Sequence, residues 1–352
     1  MTNKLNESKE LKVTVKKENI PIFFSSDDNY VPYLAVAIRS LINNASSNYD
    51  YSIYILNNGI KQENINILKK MQTKNINIEF VDVSEKIKPI INMLGLRDYY
   101  SVATYFRFFI ANMFKNLHKA LYLDCDIVVC GDISQLYNHD LGDNILGGCL
   151  EQIVAANRYF RKYSQDVIGI DYTDYFNAGI LVMNLDAFRK NNIEQKFVSI
   201  LTKYNFDTIA ADQDYLNFLC KNKVTKIDMS WNKECIRDGY NGKLNIIHYA
   251  YFKKPWTDYY VKYEKYFWEY AKQTEYYEYL VNYRKNFKMS QRINNAIAAQ
   301  NLIKRAKKIY NSDFNFHKVF EPENKNSTSE KKFEFDSNNE CYFPSMNCAL
   351  QG

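Results

Sequence analysis

The chain has 352 residues, 46% of them hydrophobic, and its 46 Lys and Arg against 40 Asp and Glu leave a net charge of +6. That is enough apolar material for one large domain or two, and too mild a positive balance to mark a nucleic-acid binder by itself. The seven cysteines are odd in number and include no CxxC pair, which fits free thiols in a reducing compartment better than a disulfide framework. The opening MTNKLNESKELKVTVKKEN has no apolar core, and no stretch of about 18 apolar residues follows it. Neither a signal peptide nor a transmembrane helix is therefore expected, and the protein reads as cytoplasmic, at most attached to a membrane from the inside.

Residues 1–18 read as a polar tail. Ile20 to Ser26 (IPIFFSS) reads as a short buried strand that ends at Asp27-Asp28-Asn29. Pro32 to Leu41 fits a helix, with proline in the first turn, where its missing N–H costs little. YSIYIL from Tyr51 is a second strand, Ile60 to Met71 carries a helical apolar period, and Ile76 to Val81 is a third strand. Thr104 to Phe114 reads as an aromatic-rich helix, and Ala120 to Leu123 as a fourth strand running into Asp124 and Asp126. Strands alternating with helices imply an α/β fold with a mostly parallel sheet covered on both faces, whose ligands bind beyond the carboxyl ends of the strands. Both acidic clusters fall at such ends.

From about Thr257 the composition changes: the segment 259–310 reads as a helical extension, aromatic first and then basic. Between Arg284 and Tyr310 stand eight Lys or Arg and no acid, and Ile293, Ala296, Ala299, Ile303, Ala306 and Tyr310 keep a three-four spacing. This predicts a basic amphipathic helix suited to an anionic membrane surface or, alternatively, to packing on the catalytic domain or a partner. Asn311 to Gly352 is polar and poorly periodic and reads as a disordered tail.

Asp124-Cys125-Asp126 places two carboxylates one residue apart at a strand exit, where both can turn toward one hard cation such as Mg²⁺ or Mn²⁺; a solvent-facing turn gives the same pattern. His248 closes another apolar run (LNIIHYAYFKKPW), where it is either a third ligand or a satisfied buried histidine. Lys254 just after it can meet phosphate charge or water. Asp212-Gln213-Asp214 opens a helical pattern and is open to a capping reading. Asn177-Ala178-Gly179 precedes an apolar run, as a turn or as a place where glycine lets backbone approach a ligand closely. The sequence has no P-loop, no GxGxxG after the first strand and no GxSxG elbow, so kinase-like, NAD-dependent and α/β-hydrolase readings have little support.

Taken in order, FFSSDDNYVPYLAVAIRSL, SVATYFRFFI, LYLDCDIVV, LGDNILGG, YFNAGILVMNL, ADQDYLN and HYAYFKKPW resemble glycosyltransferase family eight, in particular its bacterial lipooligosaccharide and lipopolysaccharide galactosyl- and glucosyltransferases. The resemblance covers about Ile20 to Trp256. It implies a GT-A nucleotide-sugar-binding fold over residues 19–258, a UDP-sugar donor, Mn²⁺ (or Mg²⁺), and transfer of galactose or glucose with retention to a glycan or glycolipid acceptor. It further implies that Asp124, Asp126 and His248 hold the metal, and that Asp27, Asn29 and Tyr30 hold uracil and ribose. The Cys125 backbone and Lys254 would complete the nucleotide site. Arg107, Asn177, Ala178, Gly179, Asp212 and Gln213 would face the donor sugar, and Glu151 would stand near the acceptor. Where the family places a glycine this chain has Tyr251, which puts the geometry of that loop in question. A protein acceptor, or a non-catalytic UDP-binding scaffold, are the competing readings.

Overall fold

The computed structural model describes residues 17–94, 101–236 and 239–321. Among the described residues ten strands run in chain order: β1 Asn19–Ser25, β2 Asp50–Asn57, β3 Ile76–Asp82, β4 Lys119–Leu123, β5 Ile127–Val129, β6 Leu146–Leu150, β7 Phe176–Asn184, β8 Val224–Ile227, β9 Lys233–Glu234 and β10 Ile246–His248. Seven of them form one sheet in the order β3-β2-β1-β4-β7-β6-β8. Pairing is parallel from β3 to β4 and between β6 and β8, and antiparallel where β7 meets β4 and β6. The mostly parallel sheet flanked by helices is thus present, with β7 as its reversed central strand.

Burial explains why the strands read as continuous apolar runs. Ile22 lies opposite both Ile53 and Leu121, and Ile53 opposite Ile78, so one row of branched side chains crosses four strands. All four are buried on the same side of the sheet, under helix α1 (Val31–Asn44). Phe23 and Tyr122 go to the opposite core, with Phe106, Phe108 and Phe197. A sheet buried on both faces has no polar face to alternate with.

Three short strands make a second sheet in the order β5-β10-β9. Asp124-Cys125-Asp126 is the corner between the two sheets: β4 ends in the large one, and three residues later β5 begins in the small one. The corner is stitched down by the Asp124 N–H donating to Gly179 O at 2.7 Å and the Tyr249 N–H donating to Asp126 O at 2.9 Å.

Four expectations change. Thr104 to Phe114 is not one α-helix but a 3₁₀ helix (Val102–Phe109) followed by a single α-turn (Ile110–Met113). With three residues per turn, side chains three apart lie in one row, which puts Thr104 and Arg107 on the same side. Asn177-Ala178-Gly179 is no turn; it lies inside β7. The basic segment from Arg284 is interrupted at Phe287-Lys288 before the Met289–Tyr310 helix begins. Ala306 and Ile309 of that helix are buried, whereas Met289, Ile293 and Ile297 are exposed. The tail reading from Asn311 fails as far as Glu321. A short helix, Phe316–Phe320, is capped by Asn315, and Phe316 is wholly buried against Phe206, Tyr215 and Phe218. Three phenylalanines in a polar stretch make too sparse a period to be read, yet they suffice to dock it. The N-terminal tail up to residue 16 and the stretch 322–352 lie outside the described residues. No described helix is long and apolar enough to cross a membrane.

Candidate active site

The carboxyl ends of β1 and β4, the start of β7, the end of β10 and the start of the Ala211–Cys220 helix converge on one cleft with about 840 Å³ of empty space. Asp27, Tyr30, Arg107, Asp124, Cys125, Asp126, Asn177, Ala178, Gly179, Asp212, Gln213, His248 and Lys254 all line it. Thirteen of the fifteen site residues named from the sequence are therefore brought together, and two are not. Asn29 is exposed and off the lining, because it sits within the 3₁₀ turn that Asp27 caps through the Tyr30 N–H. Glu151 is wholly buried behind the wall, so its carboxyl does not reach a ligand in the cleft.

Arg107 is 3% exposed and joins several of these groups. It donates from Nη2 to Asp124 Oδ1 at 3.0 Å, from Nη1 to the Ala178 carbonyl, and from Nε to Thr104 O at 2.8 Å. Its Nε also lies 3.0 Å from Asp212 Oδ2, a charge contact without hydrogen-bond alignment. The Tyr122 ring lies under the guanidinium at 4.1 Å. One buried cation thus ties two acids of the cleft to the β7 backbone. Burial nonetheless pushes Asp212 up to about 6, with Arg107 opposing the rise.

The other acid of the corner faces a different cation. Lys254 Nζ is 2.5 Å from Asp126 Oδ2 and also donates to the Tyr249 carbonyl. His248 Nε2 is 3.2 Å from Asp126 Oδ1 and 3.9 Å from Asp124 Oδ2. Burial disfavours the Asp126 charge, but Lys254 and His248 outweigh it and hold the carboxyl below its ordinary range. Pairing of β10 with β5 sets His248 opposite Ile127, next to Asp126, which is how residues so distant in sequence meet.

One ligand atom from each of Asp124, Asp126 and His248 lies within 4.8 Å of the others, and two carboxylates plus an imidazole suit a divalent ion such as Mn²⁺. Gly179 makes room for them. A Cβ there would come within 2.4 Å of His248 Cε1 and 2.7 Å of Asp124 Oδ2, distances no side chain tolerates. The donor set and its clearance fit a metal.

The acidic doublets divide their work. Asp27 lines the cleft while Asp28 accepts from Lys61 N and Asn64 Nδ2 at the start of helix α2 (Gln62–Lys69). Asp212 lines it while Asp214 accepts from Tyr163, Tyr175 and the Ile209 and Ala210 N–H groups. Capping and cleft readings of these motifs are both right, for different residues. Tyr251 adopts φ +65°, a conformation that favours glycine, so the loop keeps left-handed geometry with a tyrosine in place.

Several cleft-building residues carry no sequence signal. Thr104 and Tyr122 line it, and Asn232 holds His248 from behind, Oδ1 to Nδ1 at 2.9 Å. Cys125 lines it with its thiol spent on the Ser25 carbonyl at 3.1 Å.

Residues 21–259 match the model of the family described as Glycosyl transferase family 8. A putative glycosyltransferase of Haemophilus influenzae is 36% identical over 217 residues, which are 61% of this chain and 63% of that protein. General stress protein A of Bacillus subtilis is 25% identical over 263 residues, 69% of this chain and 89% of that one. Among solved structures, the galactosyltransferase LgtC in complex with donor and acceptor sugar analogues is similar at a TM-score of 0.61 and 26% identity, over 73% of this chain and 96% of that chain. The sheet order and corner described above are accordingly those of a GT-A fold.

Proposed function

The chain belongs to glycosyltransferase family 8, and from that premise we propose that it moves a hexose, galactose or glucose, from a UDP-sugar to a glycan acceptor with retention of configuration. The observation that carries this reading is the meeting of Asp124, Asp126 and His248 at one point of a cleft that also holds Asp212 and Gln213. In this reading the three hold Mn²⁺ or Mg²⁺, which supplies Lewis-acid stabilisation of the departing diphosphate. Asp27 and Tyr30 hold the nucleoside; Asn29, exposed beside them, reaches at most its outer edge. Lys254 adds a fixed positive charge beside the diphosphate, and it needs no long movement, since Asp126 already anchors it.

On the sugar side, Arg107 locks the position of Asp212, whose carboxylate stabilises positive character at the anomeric carbon. Gln213 is tied at both ends, accepting from the Ala178 N–H at 2.9 Å and donating to Glu151 at 3.2 Å. A tethered amide is a poor nucleophile, which favours same-face attack by the acceptor hydroxyl without a lasting covalent intermediate. Glu151 then acts by holding Gln213 and Asn177 instead of touching the acceptor. UDP release from UDP-Gal and UDP-Glc, with UDP-GlcNAc and UDP-GalNAc beside them, tests the reading. The Asp124→Ala variant and metal-free protein should both lose about 100-fold or more. Full activity of Asp124→Ala would overturn the metal assignment.

The lipopolysaccharide or lipooligosaccharide core as acceptor, and work at the cytoplasmic face of the inner membrane, complete the proposal. Support comes from the Met289–Tyr310 helix, where Met289, Ile293 and Ile297 are exposed in one row with Lys285 and Lys288 beside its start. Arg284, Arg292 and Arg305 are spent within the fold, on Glu264, Thr257 O and Thr208 O, which narrows the membrane face to the helix's first half. Replacing the three exposed apolar residues by serine should abolish flotation with vesicles containing anionic lipid. Unchanged flotation would remove this part of the proposal.

A further inference from the structure

Behind the cleft wall, polar side chains run without a gap from the buried Glu151 to His248. Glu151 Oε2 accepts from Asn177 Nδ2 at 2.7 Å and from Gln213 Nε2 at 3.2 Å, and Glu151 Oε1 accepts from the Ile153 N–H at 3.1 Å. Asn177 Oδ1 accepts from Asn232 Nδ2 and from the Gly179 N–H, both at 2.9 Å. Asn232 Oδ1 meets His248 Nδ1 at 2.9 Å. Glu234 stands beside Glu151, and burial together with that neighbouring acid pushes Glu234 well up.

The direction of each bond follows from the fixed groups at the ends. A side-chain amide can turn over, exchanging oxygen for nitrogen, unless its neighbours decide between them. The Gly179 N–H can only donate, so the Asn177 atom facing it is the oxygen. The Asn177 nitrogen then needs an acceptor, and Glu151 provides one. Because Asn177 presents oxygen to Asn232, Asn232 presents nitrogen in return, and its own oxygen is left toward His248. That oxygen can only accept, which places a proton on Nδ1 and leaves Nε2, facing Asp124 and Asp126, as the nitrogen whose proton a cation displaces.

We propose that Asn232 and Glu151 are positioning residues that keep a proton on His248 Nδ1 and fix the ring, so that Nε2 is the nitrogen offered to a cation. The proposal rests on the metal reading given above. A histidine ligand whose second nitrogen is bonded in this way is held in both tautomer and ring orientation, and losing such a partner typically costs about 10–100-fold in metal affinity. Glutamine cannot replace Glu151 here. Its nitrogen would face either the Ile153 N–H or the two amide nitrogens of Asn177 and Gln213, a conflict in both settings.

Long-range ¹H–¹⁵N correlation on the metal-free, ¹⁵N-labelled chain reads the tautomer directly; with 4 histidines in the sequence, a His248→Gln spectrum assigns the signal. Mn²⁺ titration followed by its electron paramagnetic resonance, in the presence of UDP, reads affinity. The wild type should show Nδ1–H. Asn232→Leu and Glu151→Gln should show mixed tautomers and about 10–100-fold weaker Mn²⁺ binding with unchanged circular dichroism. Asn232→Asp keeps an acceptor for His248 but loses the donor to Asn177 Oδ1, and should keep the proton on Nδ1. A wild-type His248 with Nδ1 bare, or an unaltered Nδ1–H signal and affinity in Asn232→Leu, overturns the proposal. Should Asn232→Leu fail to fold, the wild-type and Asn232→Asp tautomers decide. A wild type that shows Nδ1–H yet binds no Mn²⁺ overturns the metal reading and leaves the tautomer relay standing.

Discussion

Two pairs of acids flank the same cleft wall and solve the problem of burial in opposite ways. At the mouth, Asp124 and Asp126 each have a cation of their own, Arg107 and Lys254, and Asp126 is held below its ordinary range. Behind the wall, Glu151 and Glu234 face each other with amide partners, and Glu234 is pushed well above its ordinary range by burial and by Glu151. A charge kept near a ligand is preserved by a counter-charge, whereas a deep acid without one is driven toward its neutral form. The difference teaches where negative charge is wanted: at the corner between the sheets, and not in the scaffold that holds it.

The strongest way to break this contrast is to remove the cation at the mouth. Arg107→Leu leaves Asp124 and Asp212 facing each other beside a buried apolar side chain, and should cost about 3–5 kcal/mol in urea unfolding. A loss within about 1 kcal/mol would mean that solvent, and not Arg107, compensates these acids.

Acidity sharpens the contrast with a smaller effect of opposite sign on the two sides. Asp126 titrates below its ordinary 3.8 in the folded chain, so its contribution is present above that value and is lost as the pH falls through its folded value. Glu234 titrates above its ordinary 4.5, so its contribution is complete below that value and is lost as the pH rises through its folded value. Glu234→Gln removes only the second term. Its stability relative to wild type should therefore rise between pH 5 and pH 9 in paired urea titrations. A difference independent of pH would show that Glu234 does not keep its proton in the fold.

Much of this architecture can be read locally. Asp27 and Asp124 stand out because each follows a run too apolar to be anything but a buried strand, and carboxylates at strand ends point to the ligand edge of an α/β sheet. Arg107 could be named only through the order of motifs, since an arginine in an aromatic run has no chemical mark of its own, and the same order gave Asn177 and Gln213 their place beside the sugar. Asn232 and Glu234 were missed altogether. They lie in MSWNKEC, a stretch without period, and matter only because the short β9 brings them beside β10. The helix around Phe316 was missed for the opposite reason: its polar sequence hides a single side chain that fills a hole between Phe206, Tyr215 and Phe218.

The sequence alone determined the alternation of strand and helix, the placing of acids at strand ends and the family that this order belongs to, because those features are carried by neighbours in the chain. It also supplied Gly179, though not the reason for it. Tertiary structure decided that His248 lies beside Asp126, that Arg107 serves two acids, and that Glu151 stands behind the wall instead of in the cleft. Each of these depends on which strands pair across long separations, and local periodicity does not encode that choice.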